Sequence, residues 1–282
     1  MSRAQRGAAA VALAAGLVLA GLPSTCPAPA AADEFPYEKD GNAEFWLLTS
    51  SAMMGGVGLV ATSRQEPLDS LRRAQLDRQK LWGIDRGATD NWSPAAGVAS
   101  DLLELGAIAA PVAYVAVEHS GEDSGTLYLM YGETLLAANV ANLFLKSVTD
   151  RARPYAYNDD PEIPDAERLS RSAVRSFPST HTANAFAAAV FMGTVYGETH
   201  PGSSGRTWVW AGGLTVAVTT GILRVVSGRH FPTDVLAGAA IGSLAGWAVP
   251  KLHERPAPVY QATFQYIPTA PSPPLLSWTI RF

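Results

Sequence analysis

The chain has 282 residues, of which 16% are charged, with a formal net charge of −4 and a mean hydropathy of +0.07. That length serves one sizeable core with appendages, and the acidic balance argues against a general nucleic-acid-binding surface. The single cysteine, Cys26, excludes an intrachain disulfide and any cysteine-built metal site.

The first 32 residues read as an export signal. Arg3 and Arg6 precede a charge-free stretch from Gly7 to Leu22. Pro23 breaks it, and Ala30-Ala31-Ala32 offers a small-residue cleavage site. Cleavage there removes Cys26; retention as an anchor helix is the alternative. Residues 33–43 form a polar, extended lead-in to the main domain, 44–255. Six apolar segments of helical length and composition follow, near Glu44–Thr62, Pro94–Val117, Gly125–Val148, Thr180–Tyr196, Thr207–Val226 and Thr233–Leu252. The mixed-charge connection from Ser63 to Trp92 has room for one amphipathic helix. The tail, 256–282, is Pro-rich. Two runs of period-two alternation, Val259–Ile267 and Leu276–Phe282, predict a small hairpin there. The expected architecture is therefore an all-α, six-helix bundle with a short hairpin-like tail.

Three clusters of polar side chains stand where these helices end or begin. Lys146 closes the third helix and is followed by Arg153-Pro154. Lysine offers a point charge and arginine a planar fork to phosphate oxygens. Pro178-Ser179-Thr180-His181 opens the fourth helix, whose first amides point at any anion placed there. His181 would then be a proton donor beside that anion. Arg224 closes the fifth helix, and His230 stands four residues before Asp234 in the first turn of the sixth. A carboxylate there is expected to take a hydrogen bond from one ring nitrogen of His230 and leave the other free as a nucleophile. Each cluster alone is also what an ordinary capped helix end shows. In an up-down bundle, however, all four helix ends share one end of the bundle.

These residues resemble the type 2 phosphatidic acid phosphatase (PAP2) superfamily, which includes class A acid phosphatases and vanadium haloperoxidases. The family pattern is Lys, six residues, Arg-Pro; then Pro-Ser-Gly-His; then Ser-Arg, five residues, His, three residues, Asp. Lys146 to Pro154 fits the first part. Pro178 to His181 fits the second, with Thr180 for glycine. Arg224, His230 and Asp234 fit the third, with Leu223 for serine. The resemblance implies a phosphatase in which His230, oriented by Asp234, forms a phosphohistidine. His181 is the acid and then the base, and Lys146, Arg153, Ser179, Thr180 and Arg224 hold the phosphate. It implies no metal and no other cofactor. The substrate is a small or lipid-linked phosphomonoester or diphosphate. Vanadium-dependent halide oxidation and a non-catalytic envelope protein are the alternatives.

Location follows from two opposed readings. The charge-free runs are roughly 13 to 19 residues, at or below the ~20 of a span, and Glu104 and Glu133 interrupt two of the segments. An exported, periplasmic or peripherally attached bundle is expected on that ground. An integral inner-membrane protein is the alternative.

Overall fold

The structure is a computed structural model that describes residues 35–255. The expected signal segment and C-terminal hairpin lie outside the described residues.

Nine α-helices are present among the described residues, where the sequence predicts six. The six long ones are the predicted segments: α1 (Gly41–Ser63), α4 (Pro94–Glu118), α5 (Gly121–Thr149), α7 (Thr180–Thr199), α8 (Gly205–Val226) and α9 (Pro232–Leu252). The other three are single turns: α2 (Ser70–Ala74), α3 (Gly83–Arg86) and α6 (Asp165–Arg168). The connection between α1 and α4 thus holds two short helices and two 3-10 turns rather than one amphipathic helix.

Caps define the long helices. Asp40, Ser93 and Ser179 accept from the amides of Asn42, Ala96 and Thr182 at the starts of α1, α4 and α7. Proline occupies the first position of α4 and α9, where its missing amide costs nothing. Asp150, at φ 44°, turns the chain out of α5. The lead-in is tied down rather than loose. Tyr37 is buried, the Glu38 amide donates to the His253 carbonyl, and Arg255 N donates to Pro36 O.

The bundle is organised around α7, which packs against α9, α8, α4 and α5, whereas α1 lies mainly along α5. Its closest neighbour is α9. A Cβ on Gly238, Gly242 or Gly246 would fall against the carbonyls of Ser179, Ala183 and Ala187, one turn apart on α7. Small residues at every fourth position let two backbones approach to that distance.

The outer surface does not match a soluble bundle. Among the described residues, four helices (α1, α4, α8 and α9) are long and apolar enough to cross a membrane. The apolar windows of α1 and α4 are only 11% and 17% buried. Trp46, Met53, Leu59, Leu102, Leu105 and Trp208 all face outward. So large an unpartnered apolar surface marks membrane association. The two glutamates that interrupt the hydropathy runs turn inward. Glu104 meets His181 and Asn184, and Glu133, 3% exposed, meets His253 at 3.3 Å. The outward face of each helix is therefore more apolar than its sequence average.

Gly242→Ala sets a methyl against backbone that cannot yield, with an expected loss of about 1–3 kcal/mol. Gly56→Ala, where nothing lies within 4 Å, gains up to about 1 kcal/mol from helix propensity. Thermal unfolding of detergent-solubilised protein checks the opposite signs.

Candidate active site

The ends of α5 and α8 and the starts of α7 and α9 meet at one end of the bundle, under a cap made of the linker segments. Leu68, Tyr155, Ile163 and Val174 form a small apolar cluster in that cap. Gly228, at φ 71°, fits beneath the Asn91 carbonyl, where a side chain would collide. Its own carbonyl accepts from Tyr155 N at 3.0 Å.

His230 lies at the centre and is 1% exposed. Its Nδ1 lies 2.7 Å from the Ser176 carbonyl. A carbonyl only accepts, so Nδ1 carries the hydrogen and Nε2 presents its lone pair. The expected partner, Asp234, is 3.6 Å from Nδ1, beyond a hydrogen bond. It is engaged elsewhere. Its oxygens accept from Ser176 Oγ (2.5 Å), Phe231 N (2.8 Å) and Arg151 Nη1 (2.5 Å). Asp234 therefore fixes Ser176, and the Ser176 backbone fixes the imidazole. The direct Asp–His bond predicted from their spacing is replaced by a relay through one serine.

Burial, followed by the charges of Arg153, Lys146 and Arg224, holds His230 well below the usual histidine range. These are the three cations read from the sequence, and His181 also acts on the same ring. The predicted clusters thus converge on His230. Backbone carbonyls hold two of the cations. Lys146 Nζ donates to Arg175 O (3.2 Å) and Pro178 O (2.5 Å), and Arg153 Nε donates to Ser172 O (3.0 Å). Arg224 is 3% exposed and donates to Ser100 Oγ (3.2 Å) and Asp101 Oδ1 (3.0 Å).

His181, in the first turn of α7, has its Nε2 2.9 Å from Asp101 Oδ1 and 3.0 Å from Glu104 Oε2, both on α4. Ser179 is placed differently from the expectation of a phosphate-holding hydroxyl. Its Oγ is fully buried at the N-cap of α7, 2.8 Å from Thr182 Oγ1, and its amide donates to Asp234 O. Thr180 is the first residue of α7, half-buried, with its amide among those the helix leaves unpaired. Leu223 is half-buried, one residue before Arg224.

Besides Ser176, sequence reading missed four charged residues. Arg151 is the main one. Its fork spans Asp234 and the fully buried Asp85 (Nη2 to Oδ2, 2.7 Å), and its guanidinium lies 4.3 Å over the Phe231 ring. Asp85 also accepts from Thr233 N (3.1 Å) and Thr233 Oγ1 (2.7 Å). Asp101 and Glu104 complete the set. Arg151 was visible beside Arg153, but nothing local tells a structural arginine from a phosphate ligand. Asp85 pairs across 66 residues, which no periodicity reports.

Among the described residues, no group of three or more His, Cys, Asp or Glu side chains is arranged to hold a metal ion. A cleft of about 500 Å³ lies outside the end of α5, lined by Ala61, Arg64, Gln65, Glu66, Arg72, Ser147 and Asp150. It contains none of the predicted site residues.

The model of the PAP2 superfamily matches residues 127–257, a little under half of the chain. That range takes in every predicted site residue but not Asp85, Asp101 or Glu104. Among curated proteins, the chain is 47% identical over 79 residues to the lipid A 1-phosphatase of Porphyromonas gingivalis, covering 28% of this chain and 16% of that one. It is 31% identical over 116 residues to the lipid A 4'-phosphatase of Bacteroides thetaiotaomicron (39% and 46%). It is 28% identical over 119 residues to the decaprenylphosphoryl-5-phosphoribose phosphatase of Mycobacterium tuberculosis (42% and 57%). The matches thus span little more than half, or less, of the length of these relatives. A solved transmembrane PAP2-type phosphatidylglycerolphosphate phosphatase from Bacillus subtilis aligns with 86% of this chain and 94% of its own, at 20% identity and a TM-score of 0.42.

Arg151→Met leaves Asp85 and Asp234, both wholly buried, without their shared cation. The expected loss is about 3–5 kcal/mol. Adding Asp85→Asn to that variant recovers part of it, because one uncompensated charge is removed. Denaturant unfolding of the two variants checks the order.

Proposed function

We propose that the chain is an integral-membrane phosphatase that removes phosphate from a lipid-linked phosphomonoester through a phosphohistidine at His230. The observation that carries the reading is the His230 Nδ1 bond to the Ser176 carbonyl, beside three cations. It presents a neutral Nε2 to a site built for an anion. The relatives named lipid A phosphatases and the outward apolar faces of α1, α4 and α8 support a lipid substrate.

In the first step, His230 Nε2 attacks phosphorus while the bond to the leaving oxygen breaks. His181 gives that oxygen a proton. Lys146, Arg153, Arg224 and the Thr180 amide stabilise the three equatorial oxygens, on which charge is concentrated. In the second step, His181 takes a proton from water, the water oxygen attacks phosphorus, and the P–N bond breaks. Phosphate leaves and His230 is restored. Asp234 and Ser176 hold the ring throughout, and Ser179 caps the helix that carries His181. Export through the N-terminal segment, expected from its composition, remains part of this reading only as the route to the membrane.

His230→Ala abolishes phosphate release from a detergent-dispersed lipid phosphate. His181→Ala lowers turnover by about 100-fold or more, the usual scale of acid–base help. Full activity in the His230 variant would sink the assignment. The protein is retained in membranes through a high-salt wash and released by detergent.

The depressed His230 value also has a sign. The folded ring resists protonation below pH 6.5, where the unfolded chain binds the proton. Stability from this group is therefore full above about pH 6.5 and is lost as the pH falls below it. The acid limb of kcat/KM that His230 sets lies below pH 6.5, and a pH–rate profile locates it.

A further inference from the structure

Two carboxylates converge on one ring nitrogen of His181, and that nitrogen offers a single hydrogen. One of them is therefore more than orientation requires. They are held in different ways. Glu104 is mostly covered (15% exposed), and its second oxygen accepts from Asn184 Nδ2 at 2.8 Å. Asn184 Oδ1 in turn accepts from Asn139 at 2.9 Å. That chain of amides fixes Glu104 from behind. Asp101 is 59% exposed, and its Oδ1 contacts are His181 Nε2 and Arg224 Nη1. It stands at the edge of the apolar face of α4 that carries the exposed Val98, Leu102 and Leu105.

The position of Asp101 Oδ1 is informative. It lies 2.9 Å from the proposed acid and 3.0 Å from a proposed phosphate-binding guanidinium. In the proposed complex an equatorial phosphoryl oxygen has to reach this guanidinium, and the leaving oxygen has to lie beside the acid. A carboxylate and a phosphate cannot share that point, because like charges at such separation repel strongly. The proposed nucleophile, His230, is 1% exposed.

We propose that Asp101 is a displaceable latch. Before phosphate binds, its carboxylate stands in for a phosphate oxygen at Arg224 and keeps Arg224 and His181 in register. The arriving phosphate takes over Arg224, the Asp101 side chain swings outward on α4, and His181 Nε2 is left to Glu104 alone. Glu104 stays behind as the positioning residue for His181. The latch also selects by charge. A phosphomonoester carries about −1.5 to −2 at neutral pH, whereas the phosphodiester of an ordinary membrane lipid carries one negative charge, like the carboxylate it would have to displace. The latch therefore favours monoesters over the surrounding diesters. This inference rests on the assignment of His181 and Arg224 to the phosphate site.

The test compares Asp101→Asn, Asp101→Ala, Glu104→Gln and a control, Glu167→Gln, in detergent-solubilised full-length protein. Glu167 pairs with Arg229 at 3.1 Å at the same end of the bundle. Both Asp101 variants are expected to bind inorganic phosphate and orthovanadate about fivefold or more tighter, measured as competitive inhibition. They also become inhibitable by a short-chain phosphodiester lipid that leaves the wild type unaffected. Glu104→Gln is expected to lower kcat about tenfold or more with KM nearly unchanged. Unchanged or weaker phosphate binding in both Asp101 variants overturns the latch. So does an equal gain in Glu167→Gln, which would mean a diffuse charge effect. Loss of the underlying reading has a separate signature: Arg224→Met would then leave phosphate inhibition intact.

Discussion

The close approach of α7 and α9 is the constraint from which the site follows. Gly238, Gly242 and Gly246 let the two backbones touch along three turns. At the top of that seam the Ser179 amide donates to the Asp234 carbonyl, so the first turns of the two helices are joined directly. His181 sits in one of these turns. His230 and Asp234 stand at the other. Their separation is set by backbone contact, which has little freedom, rather than by packing of long side chains. Polar residues held this way lose little further freedom when the reaction needs them aligned.

Around that seam the charges are balanced in layers. Arg151 holds Asp85 and Asp234 together below His230. Carbonyls of Arg175, Pro178 and Ser172 hold Lys146 and Arg153 beside it, and Asp101 holds Arg224. Cations gathered in a closed site repel one another, and burial strips them of water. Oxygen acceptors of low or single charge offset both effects without neutralising the site. Lys146, Arg153 and Arg224 are left acting together on His230, the arrangement that the proposed function needs for an anion whose charge grows during reaction.

Much of this was legible in the chain. The six long helices follow from Ala-, Leu- and Gly-rich segments with capping residues at their starts, and their limits differ by only a few residues from those observed. Lys146, Arg153, His181, Arg224 and His230 could be read from spacing at helix ends, because helix termini are where local sequence and site geometry coincide. Three features were not legible. The partner of His230 is a backbone carbonyl, and every residue has one, so no residue type announces it. The Asp85–Arg151 pair is long-range. The choice between soluble and membrane surface was obscured because hydropathy averages over all faces of a helix. Glu104 and Glu133 depress the average of α4 and α5 while pointing away from the surroundings. The predicted Asp234–His230 bond failed for a related reason: four-residue spacing brings the groups near, but Arg151 and Ser176 bind the carboxylate more closely.

The inward glutamates also say how a lipid surface and an ionic site coexist within one bundle. On α4, Val98, Leu102 and Leu105 face outward, while Glu104 faces His181 and Asp101 marks the boundary between them. A substrate with an apolar chain and an ionic head has the same division. Its chain can stay against α4 while its phosphate crosses only the width of that boundary, so neither part must leave its preferred surroundings for long. A small soluble phosphate gains nothing from the apolar face and meets the same repulsion from Asp101. Under the proposed function, the geometry of one helix therefore favours lipid-borne phosphates by solvation.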